Sequence, residues 1–278
     1  GGVKMNAGCF KNEFKDIFHK MEYSRENMFI TGKAGSGKTT LLEYFRINSS
    51  KNFVILASTG ISAIKAKGKT IHSFFLFPPR ILINEKIQKL RGKVINNVET
   101  ILIDECSMIR SDVLDGIDQS LKFNRNNEKP FGGVQIILLG DIHQLPPVVR
   151  ENEQEIFDNF YPFGHYFFHA NCFQESHIRK YELKKVYRQK DLIFLDILNN
   201  IRIGNINEQD LLILNDRVIN NDLKFPLETI ILSPTNRKVD GINRHNLETI
   251  DKETFSYLST ETGAVSYTHL RAHETGSY

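Results

Sequence analysis

Gly32-Lys33-Ala34-Gly35-Ser36-Gly37-Lys38-Thr39 has the spacing G-x-x-x-x-G-K-[ST] of a phosphate-binding loop. Its glycines permit backbone dihedrals and a closeness of approach to phosphate that a Cβ would forbid. The pattern predicts that Gly32, Ala34, Gly35, Ser36, Gly37, Lys38, Thr39 and Thr40 surround the phosphates of a nucleotide. Lys38 would reach the β- and γ-phosphates, and the Thr39 hydroxyl would ligate Mg²⁺. Farther along, Asp104-Glu105 closes the apolar run Ile101-Leu102-Ile103 in the manner of a Walker B motif. There Asp104 would hold the Mg²⁺ shell and Glu105 would activate an attacking water. A charged strand end facing solvent is the plain alternative, disfavoured because the pair follows a phosphate loop in the same chain. Gln144, in Gly140-Asp141-Ile142-His143-Gln144-Leu145-Pro146-Pro147-Val148, could hydrogen-bond a γ-phosphate or its attacking water, on a loop stiffened by two prolines. His143 is assigned no role.

These groups must be brought together by the elements that carry them. Met28-Phe29-Ile30 suits a buried strand before the loop, and Thr40-Leu41-Leu42-Glu43-Tyr44-Phe45 has apolar positions at helical spacing after it. A strand, a glycine loop and a helix N-terminus direct backbone N–H groups and the helix dipole at an anion. Phe53-Val54-Ile55-Leu56-Ala57 and Val134-Gln135-Ile136-Ile137-Leu138-Leu139 read as further strands, with Tyr181-Glu182-Leu183 a shorter candidate. Helices are predicted over 10–21, 61–67, 84–98 and 112–123. Continuously apolar strands alternating with helices predict an α/β fold with a parallel sheet covered on both faces. Ligands bind such sheets at the carboxyl ends of the strands, where Ser58-Thr59, Asp104-Glu105 and Asp141 lie with the phosphate loop. After about residue 181, helical stretches over 190–202 and 207–219, a strand at Thr229-Ile230-Ile231-Leu232 and a helix from Asn236 suggest the start of a second α/β domain.

The 278 residues are 40% hydrophobic and 25% charged, a composition able to bury a core. No apolar run is long enough to span a membrane and no secretory leader opens the chain, so a cytoplasmic (bacterial) or nuclear (eukaryotic) location is expected. Cys9, Cys106 and Cys172 are too scattered for a zinc site and read as reduced thiols. The net charge of +3 says little about partners. Residues 65–93, however, carry Lys65, Lys67, Lys69, Arg80, Lys86, Lys89, Arg91 and Lys93 against Glu85. That stretch is either a solvated helix face or a nucleic-acid surface.

The ordered motifs resemble those of the Pif-one (petite integration frequency) DNA helicases of superfamily one, which move 5′ to 3′ on single-stranded DNA. The matching segments are TGKAGSGKTTLL (31–42), ASTGISAI with GKTIHSFF (57–75), ILIDECSM (101–108), FGGVQIILLGDIHQLPPVV (131–149), ELKKVYRQKD (182–191) and LSPTNRKVDGIN (232–243). The resemblance implies a P-loop NTPase with a RecA-like sheet over 23–180, preceded by a helix (1–22) and interrupted by a Lys-rich insertion (76–98). A second RecA-like domain would begin over 181–258, so the chain reads as a truncated ATP-dependent DNA helicase, expected to bind ATP but with weak or no activity and no unwinding. It implies ATP and Mg²⁺ as ligands and single-stranded DNA as partner. Lys38, Thr39, Asp104, Glu105 and Gln144 take the roles already given, and Arg188 matches an arginine that reaches the γ-phosphate from the second domain. Thr59, His72, Ser73 and Phe74 match segments lying along the DNA strand. Hydroxyls and imidazole can bond phosphates and Phe can stack on bases, whereas core packing is favoured for Phe75. The family's adenine-reading Gln upstream of the loop has no counterpart around Phe14-Lys15, and its later motifs are not present. VSYTHLRAHET (265–275) resembles translated sequencing-adaptor DNA, so 259–278 is expected to lie outside the fold. Two other functions fit parts of the pattern: a AAA+-type ATPase acting on protein, and a nucleotide-gated DNA-binding module without turnover.

Overall fold

The computed structural model describes residues 12–33, 35–83, 85–90, 92–184, 192–219 and 229–250. Ala34, Arg188 and the tail 259–278, each the subject of an expectation above, lie outside them. In chain order the helices and strands are α1 (Asn12–Tyr23), β1 (Met28–Gly32), α2 (Lys38–Asn48), β2 (Phe53–Ala57), α3 (Gly60–Lys65), β3 (Lys69–Thr70), α4 (Ile71–Phe75), α5 (Val94–Asn97), β4 (Thr100–Asp104) and α6 (Ser111–Arg125). They continue with β5 (Gln135–Leu139), α7 (Gln154–Phe160), α8 (Asn171–Glu175), β6 (Arg179–Leu183), α9 (Leu192–Ile203), α10 (Glu208–Asn215) and α11 (Asn236–Glu248).

Six strands form one sheet in the order β3-β2-β4-β5-β1-β6, and every pairing is parallel. Both faces are covered, which explains why the inner strands β2, β4, β5 and β1 are largely apolar rather than alternating, whereas the edge strands β3 and β6 are polar. Phe29, Ile101, Ile103, Ile136 and Leu138 pack on one side with residues of α4, α5, α6 and α8. Met28, Ile30, Leu102, Ile137 and Leu139 pack on the other with Phe14, Ile17 and Met21 of α1 and Leu41, Leu42 and Phe45 of α2. Truncating one such residue, Leu102 for example, removes a fully buried side chain, a change that typically costs about 2–5 kcal/mol.

The chain divides into two compact units, Gly1–Ile206 and Asn207–Tyr278. The first contains the whole sheet. Tyr181-Glu182-Leu183, expected at the opening of a second domain, is its edge strand: Tyr181 pairs with Ile30 and Leu183 with Gly32. In the second unit, Asn207 and Asp210 form a capping box that starts α10. The strand expected at Thr229–Leu232 is absent, and those residues are irregular. Their composition suits a strand, but no described segment supplies the ladder partner that a strand requires.

The Lys-rich stretch also departs from expectation. Among the described residues of 84–98 only Val94–Asn97 are helical. Side chains of α6 take backbone groups within that stretch and just before it. The Leu82 amide donates to Asp112 Oδ2 at 2.8 Å, the Leu90 amide donates to Asn124 Oδ1 at 2.8 Å, and Asn124 Nδ2 donates to the Gln88 carbonyl at 3.1 Å. Leu82 and Leu90 then rest against the core. The result is a strap pinned along α6, following a Pro-Pro break at 78–79 that blocks helical continuation from α4.

Candidate active site

The carboxyl ends of β1, β4 and β5 carry the predicted chemistry. β1 is buried at every position and delivers the chain into the glycine loop. Gly35 and Gly37 have φ of 76° and 99°, left-handed values that disfavour a side chain. A Cβ on Gly32 would lie 2.5 Å from Ser36 Oγ and 2.6 Å from the Leu183 carbonyl oxygen, so that position must also be glycine. The loop is closed by the Ser36 amide donating to the Lys33 carbonyl (3.1 Å), and α2 starts with Leu41 donating to Gly37 (2.8 Å). Lys38 Nζ turns back over the loop and donates to the carbonyls of Gly32 (2.5 Å) and Lys33 (3.3 Å). Burial depresses the Lys38 pKa, while Asp141, Glu105 and Asp104 draw it back up. Thr39 is exposed at the first turn of α2 with Thr40 beside it, and Ser36 Oγ is buried with no hydrogen-bond partner.

β4 ends at Asp104, whose Oδ1 accepts the Glu105 amide at 3.0 Å. Burial, then the charge of Glu105, raises the Asp104 pKa. Glu105 itself sits at φ 53°, ψ 47°, a left-handed conformation costing on the order of 1 kcal/mol for a residue with a side chain. Strain of this kind turns the chain sharply at the strand end. The Ser58 hydroxyl donates to the Glu105 carbonyl (3.3 Å), tying the end of β2 to that turn. After β5, Asp141 is almost fully buried and takes both prongs of Arg202 of α9, Nε at 2.8 Å and Nη2 at 2.9 Å. Burial would raise the Asp141 pKa, but hydrogen bonding to Arg202 and to the His143 amide leaves it lowered. Gln144 follows, exposed, its amide donating to the Asp141 carbonyl at 2.9 Å.

The residues present fit a Mg²⁺-bound polyphosphate. Ser36 Oγ is a buried hydroxyl lacking a partner, the loop is shaped so that a Cβ at Gly32 would collide, and the oxygens of Thr39 and Asp104 are hard donors. No cluster of three metal-ligating side chains occurs among the described residues. Mg²⁺ at phosphates commonly uses only one or two protein ligands. Two cavities, of about 410 and 360 Å³, lie elsewhere, around Lys51 and Lys93 and around Arg25 and Arg125.

The expected DNA-facing residues fall on α3, α4 and their caps. Thr59 is the N-cap of α3: its Oγ1 accepts the Ser62 amide (3.2 Å) and donates to Ser62 Oγ (2.9 Å). Ser73 is exposed, with its amide and hydroxyl both bonded to Thr70. His72 has its pKa lowered by burial and then by Arg110, so the ring is neutral at pH 7 and offers hydrogen bonds rather than charge. Phe74 is partly exposed, edge-on to Phe75 at 4.9 Å, whereas Phe75 is 1% exposed in the core, as sequence favoured. Sequence reasoning missed Asp141 and Arg202 as partners. The only signal was an arginine near the end of a helix that opens on an apolar run, Leu192-Ile193-Phe194-Leu195.

No helix among the described residues is long and apolar enough to cross a membrane. The profile of the PIF1-like helicases matches residues 9–211. A Candida albicans protein, ATP-dependent DNA helicase PIF1, is 33% identical over 264 residues, covering 88% of this chain and 28% of the relative. ATP-dependent DNA helicase Pif1 of Bdellovibrio bacteriovorus is 31% identical over 236 residues, 82% of this chain and 51% of the relative. Among solved structures, Pif1 helicase from Bacteroides in complex with ADP-AlF3 and single-stranded DNA superposes with a TM-score of 0.79 at 36% identity, covering 87% of this chain and 58% of that one. The chain thus spans about a third of the length of fungal relatives and half that of a bacterial one. The parallel sheet and its glycine loop are those of the RecA-like P-loop fold, and the chain belongs to the PIF1-like helicase family.

Proposed function

We propose that this chain is the ATP-binding half of a DNA helicase motor that couples ATP hydrolysis to 5′-to-3′ movement on single-stranded DNA. The observation that carries the reading is the strand–glycine loop–helix unit with Lys38 folded over it and Ser36 Oγ buried without a partner. An unpaired buried hydroxyl costs about 1–3 kcal/mol, which a phosphate oxygen accepting from it would recover. Gly32, Ala34, Gly35, Ser36, Gly37 and Thr40 contribute the cradle, and Lys38 exchanges its two loop carbonyls for β- and γ-phosphate oxygens. Thr39 and Asp104 would hold Mg²⁺, which supplies charge neutralisation at the phosphates. Glu105 takes the proton of the attacking water, Gln144 orients that water or the γ-phosphate, and Arg188 stabilises the same phosphate. On the DNA side, Ser73 and Phe74 are the exposed and partly exposed members of the set, with His72 a neutral hydrogen-bonding partner and Thr59 acting through the α3 cap. The solved Bacteroides relative, a complex with both ADP-AlF3 and single-stranded DNA, supports both halves of the reading.

Phosphate release from ATP, with and without single-stranded DNA, tests it. Hydrolysis stimulated by single-stranded DNA is expected. Hydrolysis indifferent to DNA would favour a protein-remodelling ATPase, and nucleotide-gated DNA binding with no phosphate release would favour a binding module. Absence of nucleotide binding would refute the assignment.

A further inference from the structure

We propose that Arg202 is a positioning residue of this site, holding the turn that presents Gln144 through its paired hydrogen bonds to Asp141. The inference deepens the nucleotide reading above and rests on it for the role of Gln144. The turn is built on one carboxylate and its own peptide. Asp141 Oδ1 accepts the His143 amide at 3.2 Å, the Asp141 carbonyl accepts the Gln144 amide at 2.9 Å, and no regular element supports residues 142–144. The carboxylate would be free to rotate without a second anchor. Arg202 supplies one with a planar fork, Nε to Oδ2 at 2.8 Å and Nη2 to Oδ1 at 2.9 Å, a geometry that fixes the plane of the carboxylate as well as its place. The pair is enclosed: Asp141 is 1% exposed and the Arg202 side chain 16%. Its direction matters as much as its strength, because Arg202 and Lys38 approach Asp141 from different elements, α9 and the start of α2. An Asp141 carboxylate released by Arg202 would be left to attract the Lys38 ammonium, drawing it away from a phosphate. Arg202 thereby keeps Asp141 engaged with the turn and leaves Lys38 to the nucleotide.

Two measurements on the 278-residue chain test this. The first is amide hydrogen exchange by NMR at His143 and Gln144, with Ile137 and Leu138 of β5 as internal reference. In Arg202→Gln the two turn amides should exchange about tenfold faster, or more, while the β5 amides keep their parent rates. Arg202→Lys, which retains the charge but not the fork, should fall between. If Arg202→Gln does not fold, Arg202→Lys decides on the same readout. The second measurement compares affinity for ADP with affinity for ADP–aluminium fluoride. Arg202→Gln should leave ADP within about twofold of the parent and weaken ADP–aluminium fluoride about tenfold, a loss of about 1.4 kcal/mol. Parent-like exchange at the turn, or acceleration spread equally into β5, would overturn the proposal. A parent chain that binds both ligands alike would refute the γ-phosphate role of Gln144, and the exchange rates would still decide what Arg202 holds.

Discussion

The two edges of the one sheet are both rich in polar side chains, yet they differ in how those groups are satisfied. At the amino edge Lys51, Gln135, Thr100 and Glu22 are all paired. Lys51 Nζ donates to Met21 O (2.8 Å), Ser24 O (2.7 Å) and Gln135 Oε1 (2.8 Å), which uses all three ammonium protons. Gln135 also accepts Thr100 Oγ1 (2.9 Å) and donates to Glu26 O (2.9 Å), while Glu22 accepts Ser49 Oγ, Ser50 Oγ and the Ser50 amide. At the carboxyl edge the accounts are left open. Ser36 Oγ and Ser107 Oγ are buried without partners, Glu105 is held left-handed, and Asp104 is raised in pKa by burial beside another acid. A saturated network stabilises a fold, whereas buried hydroxyls left unpaired at strand ends mark where a ligand completes the bonding.

That contrast can be broken by substitution. The largest effect is expected at the open edge. Glu105→Gln should reduce DNA-stimulated phosphate release ~10²–10⁴-fold with nucleotide affinity retained, because it removes a proton acceptor and little else. Steady-state hydrolysis beside an ATP-binding titration checks this, and parent-rate hydrolysis would remove Glu105 from the chemistry. Next, Lys51→Met should lower stability by about 3 kcal/mol, since it strands three acceptors. It should leave nucleotide affinity unchanged, and urea unfolding measures the loss. Gly32→Ala should cost about 1–3 kcal/mol, because the new methyl meets the fixed Leu183 carbonyl as well as Ser36. It should also weaken nucleotide binding, so a variant that melts with the parent and binds equally would contradict the cradle.

The smallest effect sharpens the comparison through pH. Burial pushes the Glu22 pKa up, but the bonds from Ser49 and Ser50 outweigh it and leave the group below the ordinary glutamate value of 4.5. A depressed carboxylate contributes stability above that value and loses it as pH falls through the folded pKa. Between pH 6 and pH 3, therefore, Glu22→Gln should lose less stability than the parent. Equal slopes in urea midpoint against pH would show that the amino-edge network is not held by that charge.

Much of this was legible in the sequence because it rests on local rules. The glycine loop, the apolar strands and the helices flanking them follow from spacing alone, and the strand ends converge where parallel topology puts them. What could not be read depends on contacts distant in sequence. The 84–98 stretch has helical spacing, yet Asn124, 34 residues beyond Leu90, takes the Leu90 amide and donates to the Gln88 carbonyl instead. Thr229–Leu232 has a strand's composition without a described neighbour to pair with. Tyr181–Leu183 was visible as a strand, but its place beside β1 could not be seen from the shift in texture that follows it. Arg202 lies 61 residues from Asp141, and an arginine near a helix end does not by itself say which carboxylate it meets.

The central claim is that the carboxyl edge, and not the amino edge, binds the phosphates of ATP. Titration of a fluorescent ATP analogue with Mg²⁺ into the parent chain, Lys38→Ala and Lys51→Met tests it most directly. Lys38→Ala should bind at least about a hundredfold more weakly, a loss of about 2.7 kcal/mol, while Lys51→Met should bind as the parent does under conditions where it remains folded. Parent-like affinity in a folded Lys38→Ala chain, or loss of binding confined to Lys51→Met, would contradict it.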